Sequence, residues 1–590
     1  MIENLKPILL PEPKRIEMTG GVVSIGSAPP FNSPPAERGG TIDGLFPPAK
    51  LSGSNEPEGY RLTIKHPDKQ SPHPVVIEAI SEPGFRHGLK TLKQLKRQFG
   101  NVLPCMIIED EPSFPARGVM LDISRDRVPR QDELLRLVDL LSSWKINHLQ
   151  LYTEHTFAYI GHETVWKDAS PMTADEIREL DIHCREQGIT LTANQNCFGH
   201  MERWLKHTQY EHLAETTGEW NFLNTKRSGG FSLCPTDARS IELIDDLLGQ
   251  LLPNFSSGLV NIGCDETFDV GQGRSCEAVE KQGYAKVYSD FVRQVIDIAS
   301  KHNFRSIFWA DMALKSSETL SYIPKDAIAL IWGYEADPPF DTWCSVLKNA
   351  GFEYWVCPGT SSWRSITGRT YERKANLTNA VKAGVKYGAS GFLITDWGDL
   401  GHRQQMPISL HALAEAANAA WNADSVDRFD NGASSLFALN DVSLELGNWL
   451  DILGNADLGL RKKTGIKNAS CMFTDLQTPL SQAGRFDNSA DWIRVKERLI
   501  ELREYLPKKL YQQLNDELSH TLDVATFAVE RALYRLNDNS LGRKKQLILI
   551  KQLKQIIEEH RRLWLIRSRT GGLDDSCKYY EDILHELEQQ

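Results

Sequence analysis

The sequence predicts an α/β fold: a parallel (β/α)8 barrel with a small amino-terminal α+β domain and a helical carboxyl-terminal region. Three observations carry that expectation. Eight short apolar runs recur between residues 117 and 421, amphipathic stretches separate them, and no glycine-rich phosphate loop follows the first run. At 590 residues the chain exceeds what one hydrophobic core supports, so several domains are expected.

The elements follow in order. Residues 1–115 hold β-prone runs at 22–25, 60–64 and 75–80 between Pro- and Gly-rich stretches. A helical stretch at 87–99 follows, with Leu89, Leu92 and Leu95 at helical spacing, so this part reads as an α+β domain. Residues 116–424 read as the barrel. Its strands are expected at 118–123, 148–152, 189–193, 259–263, 306–309, 328–332, 354–357 and 391–395, and helices at 132–144, 173–187, 238–252, 284–302, 372–387 and 410–421. A doubly wound sheet would carry its glycine loop where Asp122-Ile123-Ser124-Arg125-Asp126 stands, so the barrel is preferred. Residues 425–590 turn helical, with Leu549, Leu553, Ile556, His560 and Leu563 on one stripe. His560 reads as a packed histidine, and the run 567–573, with two Arg and two Gly, as a turn.

Composition excludes several classes. Hydrophobic residues at 41% and charged residues at 25% suit a folded globular chain. A net charge of −11 without a basic face argues against a dedicated nucleic-acid binder. No apolar segment is long enough to span a bilayer, and residues 1–10 lack the basic start and apolar stretch of a secretory leader. Ten cysteines without a CxxC pair exclude zinc-ribbon and thioredoxin-like chemistry, so reduced thiols in the cytoplasm are expected.

In a barrel the reactive groups sit where strands end. The expected strand ends bring Asp122, then Tyr152, Glu154 and His155, then Asn194, Gln195, Asn196 and His200 to the mouth. Asp265 and Glu266, Trp309 and Asp311, Trp332, and Asp396, Trp397 and Asp399 follow. Carboxylates, amides and indoles together suit a sugar, whose hydroxyls need polar forks and whose C–H faces pack on aromatic walls. Asp265-Glu266 is the sharpest feature. Glycosidases need a carboxylic acid at the leaving oxygen and a second negative group near the anomeric carbon. Two adjacent carboxylates are also expected to raise the pKa of the less solvated one.

The string Asn261-Ile262-Gly263-Cys264-Asp265-Glu266-Thr267 resembles the signature of family 20 glycoside hydrolases at the end of strand four. The run 114–125, Phe-Pro-Ala-Arg-Gly-Val-Met-Leu-Asp-Ile-Ser-Arg, is similar to the opening of that family's barrel. Gly188-Ile189-Thr190-Leu191, Gly199-His200, Leu233-Cys234-Pro235 and Trp397 continue the likeness. Leu10-Pro11-Glu12-Pro13 and Gly88-Leu89-Lys90-Thr91-Leu92 look like its non-catalytic domain, so the resemblance covers roughly residues 7–421.

The resemblance implies an exo-acting β-N-acetylhexosaminidase of a divergent, bacterial-type branch. It would remove terminal N-acetylglucosamine or N-acetylgalactosamine from a glycan or glycoconjugate, with no cofactor, metal, nucleic acid or membrane involved. The sugar's own 2-acetamido carbonyl would attack the anomeric carbon, with retention of configuration. By the same likeness Asp265 would orient the acetamido group, and Glu266 would serve as acid and then base. Arg117 would hold hydroxyls, His200 would support the acid, Trp309, Trp332 and Trp397 would wall the acetamido pocket, and Asp399 would grip a distal hydroxyl.

The chain departs from the family in two places. Residues 153–159, Thr-Glu-His-Thr-Phe-Ala-Tyr, replace an Asp-Asp-Gln-Gly-Trp-Arg-like run. Ser361-Ser362-Trp363-Arg364 stands where the family places a tyrosine for the acetamido oxygen, leaving Tyr334 and Tyr152 as candidates. Two rivals remain: a sugar-binding barrel without turnover, and a metal-dependent hydrolase using His155, His200, Asp265 and Asp396. The second lacks the early-strand His-x-His pair such sites often carry. The carboxyl-terminal helices are expected to pack on the barrel or to form a homodimer contact.

Overall fold

In the amino-terminal domain, strand β2 (Tyr60–Ile64) alternates buried and half-buried residues, as a sheet with one covered face requires. It belongs to an antiparallel sheet with β1 (Arg15–Ser24), β3 (Val75–Ala79) and β4 (Val102–Asp110), in the order β1-β4-β2-β3. The structure, a computed structural model, describes residues 6–25, 56–69, 72–482, 488–536 and 542–589. The helix Glu82–Phe99 packs Leu92 and Leu95 on the sheet. It begins five residues before the stretch expected from leucine spacing, because Ser81 caps it and Pro83 sits in its first turn. Strand β4 was not among the expected strands, since Pro104 argues against a ladder position. In the sheet Pro104 lies beyond the end of β2 and faces Val22, where the register of β1 slips.

Eight parallel strands close into a barrel: β5 (Ala116–Asp122), β6 (His148–Tyr152), β7 (Thr190–Asn194), β10 (Leu259–Asn261), β11 (Arg305–Trp309), β12 (Ile328–Trp332), β13 (Glu353–Cys357) and β14 (Gly391–Asp396). They follow chain order around the barrel, and β14 pairs with β5. Each lies at one of the eight apolar runs of the sequence. Between β7 and β10 a hairpin of β8 (Glu219–Phe222) and β9 (Thr225–Ser228) is inserted. Its strands are short and mostly exposed, so no apolar run announced it. The barrel interior is filled by Met120, Tyr152, Ile307, Trp309, Leu330, Trp355 and Leu393.

The helix Met406–Trp421 buries every residue from Pro407 onward, whereas a bare barrel would leave its outer face wet. The cover comes from the carboxyl-terminal region, whose longest helices are Gln512–Leu536, Gly542–Arg567 and Leu573–Gln589. The stripe of Leu549, Leu553, Ile556, His560 and Leu563 is buried, and His560 Nε2 lies 2.9 Å from Ser576 Oγ. These helices pack on the chain's own barrel. Among the described residues no helix is long and apolar enough to cross a membrane.

Candidate active site

The strand ends converge as barrel geometry requires. After β10 the chain passes through Gly263 (φ 69°), Cys264 (φ 71°), Asp265 and Glu266 (φ 52°). Left-handed backbone at Cys264 and Glu266 costs on the order of 1–3 kcal/mol each, and it swings both adjacent carboxylates into the mouth. Gly263 is obligatory there, since a Cβ would stand 1.9 Å from Asn196 Oδ1. Asn196 in turn donates to Asp265 Oδ1 (3.3 Å) and to Tyr152 Oη (2.9 Å).

His200, itself at φ 58°, ties the pair together. Its Nε2 lies 3.3 Å from Asp265 Oδ2 and 3.3 Å from Glu266 Oε2, between the two rather than aligned on either. Burial opposes charge on the ring, but Asp265 and Glu266 outweigh it and hold His200 protonated well above its ordinary range. The reverse effect acts on Asp265. Burial would raise its pKa, yet His200 brings it below the usual carboxylate range. The expectation that the less solvated of the two acids would be raised is thereby corrected: the cationic ring outweighs the neighbouring carboxylate.

Burial raises other carboxyls of the mouth. Asp311, after β11, accepts the Glu266 amide at 3.1 Å; burial, then Asp265 and Glu266, push it to about 8. Burial lifts Glu154 to about 7 against the pull of Arg125 and His200. Glu154 Oε1 accepts from Tyr152 Oη (2.9 Å), lies 3.2 Å from Arg125 Nη2, and is 4.0 Å from His200 Nδ1.

Arg125 is the guanidinium packed on the aromatic side of the mouth. Its guanidinium lies 4.6 Å over Tyr152 and 5.0 Å over Trp397, with Asp122 Oδ2 at 3.4 Å and His200 Nδ1 at 3.4 Å. Asp399 is its electrostatic neighbour; burial raises its pKa while Arg125 opposes the rise. Arg117, expected at the sugar, is elsewhere. It begins β5 at the opposite end of the barrel, fully buried, donating to the carbonyls of Phe114, Pro115 and Lys145, with Glu58 Oε2 at 2.5 Å. A seven-residue strand separates the foot from the mouth, and the guanidinium that reaches the mouth belongs to Arg125.

The aromatic wall is built as follows. Trp309 and Trp397 lie 6.3 Å apart, and Tyr334 stacks on Trp332 at 5.2 Å. Trp397 Nε1 donates to Tyr334 Oη at 2.9 Å, and Trp363 meets Tyr334 edge-on at 5.1 Å. The indole nitrogens of Trp309 and Trp332 have no partner among the described residues. Tyr152 is committed to Glu154 and Asn196, whereas Tyr334 Oη accepts from Trp397 and lies beside Thr395.

Among the described residues no three or more His, Cys, Asp or Glu are placed to hold a metal ion, and of the metal-hydrolase rival's four residues Asp396 accepts instead from Thr360, Ser362 and Ser409. Glu154, Asn196 and Asp311 were expected at the mouth from the strand ends but without a role, and Arg125, which follows the first strand end, was not among the expected mouth residues.

Two profiles of one family match the chain. That of the "Glycosyl hydrolase family 20, catalytic domain" matches residues 114–362, and that of the family's domain 2 matches residues 30–111, together more than half of the chain. A beta-hexosaminidase of Akkermansia muciniphila is 27% identical over 233 residues, 36% of this chain and 45% of that protein. Hexosaminidase D of Homo sapiens is 26% identical over 51% of this chain and 64% of its own length. The chain thus spans about half the length of the curated relatives it matches. Among solved structures, an exo beta-N-acetylglucosaminidase of Vibrio harveyi superposes with a TM-score of 0.58 at 20% identity, covering 75% of this chain and 78% of that one. A Flavobacterium johnsoniae chitobiase covers 89% of this chain and 86% of its own, with a TM-score of 0.52 at 19% identity, so the likeness of fold reaches into the carboxyl-terminal region. The chain belongs to glycosyl hydrolase family 20.

Proposed function

We propose that this protein is an exo-β-N-acetylhexosaminidase that hydrolyses terminal β-linked N-acetylglucosamine or N-acetylgalactosamine with retention. The observation that carries the reading is His200 Nε2 seated 3.3 Å from both Asp265 Oδ2 and Glu266 Oε2 at the mouth of the barrel. Asp265, kept ionised, accepts the acetamido N–H and stabilises the positive charge that grows on that group. The acetamido oxygen attacks the anomeric carbon as the glycosidic bond breaks, and Glu266 gives its proton to the leaving oxygen. Water then opens the oxazolinium intermediate at the same carbon, returning its proton to Glu266, so two inversions leave the configuration retained. The more exposed of the two carboxyls, Glu266, is the one suited to meet both leaving group and water.

Trp309, Trp332 and Trp397 pack around the acetamido methyl, and Tyr334 donates to its oxygen. Arg125 and Asp399, a cation and a carboxylate side by side, grip the sugar's hydroxyls. The cytoplasm is proposed as the place of action, because the ten cysteines of the sequence show no paired spacing, which suits a reducing compartment.

The test is release of nitrophenolate from p-nitrophenyl N-acetyl-β-glucosaminide and its galacto epimer. Wild type is expected to turn over, and Glu266→Gln to lose about 10²–10⁴-fold in kcat while remaining folded. Equal rates in the two proteins would remove Glu266 from the role of acid. A folded wild type inert on both sugars, yet binding N-acetylglucosamine, would favour a sugar-binding barrel.

A further inference from the structure

The run 567–573 joins the helices Gly542–Arg567 and Leu573–Gln589, and it lies against the barrel rim rather than in solvent. Ser568 bridges Pro129 in antiparallel fashion, Arg130 N donates to Arg567 O at 2.9 Å, and Arg569 N donates to Val128 O at 2.9 Å. This strand-like seam begins three residues after Arg125. The Arg569 side chain closes it from the other side. It donates to the carbonyls of Pro129 (3.1 Å) and Pro171 (2.8 Å) and pairs with Glu176 at 2.8 Å, spanning the segments after β5 and β6. Gly572 (φ 74°) passes so close that a Cβ would stand 1.8 Å from Asp126 O, directly beside Arg125. The following helix reaches two further loops. Ser576 Oγ donates to Gly401 O, two residues after Asp399, and Asp575 lies 3.4 Å from Arg203, which also holds Asp126 at 2.7 Å.

We propose that the turn 567–573 is a positioning device that sets the sugar-gripping side of the mouth, with Arg569 and Gly572 as its working residues. The inference rests on the reading of Arg125 and Asp399 as the hydroxyl grip. The seam, Gly572 and Ser576 meet the loops that carry those two residues, Arg569 and Asp575 reach the neighbouring loops after β6 and β7, and Asp265 and Glu266 are held by Asn196, His200 and Asp311. The turn's contacts described above include none to Asp265, Glu266 or Asp311, and Arg125 meets that set through His200 at 3.4 Å, so a change in the turn acts first on the grip. Loosening the turn lets Arg125 shift relative to the sugar, weakening binding and blurring the distinction between gluco and galacto epimers, while the acid remains in place.

The experiment compares Gly572→Ala and Arg569→Lys with wild type and with Arg561→Ala. The last removes pairs to Asp574 and Glu581 on the outer side of the same region. KM for p-nitrophenyl N-acetyl-β-glucosaminide and its galacto epimer, kcat, and the Kd of free N-acetylglucosamine by calorimetry are read together, with circular dichroism giving the folded fraction. In Gly572→Ala, KM and Kd are expected to rise at least about tenfold, with kcat within about threefold and the preference between epimers moving toward unity. Arg569→Lys, which keeps the charge and loses the forked contacts, is expected to fall between that variant and wild type. Arg561→Ala is expected to match wild type. Unchanged KM and Kd in folded variants would overturn the proposal, as would losses that merely track the folded fraction. Should Gly572→Ala not fold, Arg569→Lys decides by the same criteria. A wild type that binds the sugar without hydrolysing it would sink the functional reading and leave Kd to judge the turn.

Discussion

The two ends of the barrel treat charge in opposite ways. At the foot the buried carboxylates are paired with cations. The buried Asp110 accepts from Tyr60 Oη (2.8 Å), Lys145 Nζ (2.7 Å), Trp421 Nε1 (2.8 Å) and the amides of Lys14 and Glu111 (3.1 Å each), joining the amino-terminal sheet to the barrel and its last helix. Arg117 is answered by carbonyls and by Glu58, whose pKa burial would raise but His87 and Arg117 bring to about 2. At the mouth like charges crowd. Asp265, Glu266 and Asp311 lie together with Glu154 close by; Cys264, Glu266, Ser361, Arg364, Leu400 and His402 hold positive φ; and two indole N–H groups lack partners. The difference teaches where stability and chemistry are placed. The end with paired carboxylates holds the domains together, and the strained end with crowded carboxyls is poised for reaction.

That contrast can be broken by mutation. The largest effect is expected at the foot. Lys145→Met leaves Asp110 buried without its cation, which costs about 3–5 kcal/mol, read as a large fall in the denaturant midpoint. The kcat/KM of the remaining folded protein is expected to stay at the wild-type value. A catalytic defect with unchanged stability would erase the division between the ends. The converse experiment is Arg125→Lys at the mouth. It keeps the charge and loses the fork, so KM is expected to rise by about tenfold or more with little loss of stability. Arg117→Lys, judged by the same kinetics, is expected to leave KM alone, and a rise there would restore Arg117 to the sugar.

A smaller and pH-dependent effect sharpens the comparison. Asp311 is raised from its ordinary 3.8 to about 8, so between those values the folded chain holds a proton that the unfolded chain has released. Its contribution to stability is therefore present at low pH and lost as pH rises toward 8, by up to about 1.4 kcal/mol per pH unit for one proton. Asp311→Asn removes that slope. Its stability relative to wild type is expected to improve steadily from pH 5 to 8, and a gap independent of pH would deny Asp311 a raised pKa.

Much of the fold is legible in the sequence because its signal is local. Eight apolar runs spaced by amphipathic helices can hardly be arranged otherwise, and each corresponds to a barrel strand. Strand β4 was hidden by Pro104, whose tolerance depends on where β2 ends and where β1 slips, both tertiary facts. The site was legible where chemistry clusters along the chain, as in Asp265-Glu266. It was not legible where chemistry depends on which end of a strand a residue occupies. Arg117 and Arg125 bracket one strand and look equally apt until the barrel closes and sends them to opposite ends. Asp311 and Glu154 likewise acquire their character from neighbours on other strands, and the turn 567–573 reads as a turn, which it is, without revealing what it docks against.

The measurement that tests the central claim most directly varies the proposed nucleophile and leaves the protein untouched. In p-nitrophenyl β-glucosaminides carrying acetyl, monofluoroacetyl, difluoroacetyl and trifluoroacetyl groups on nitrogen, each fluorine withdraws electrons from the amide carbonyl oxygen. If that oxygen attacks the anomeric carbon while Asp265 steadies the charge it acquires, log kcat is expected to fall steeply and monotonically along the series. A flat series, with wild type turning over all four sugars at similar rates, would contradict substrate assistance and with it the role of Asp265 in steadying the acetamido group.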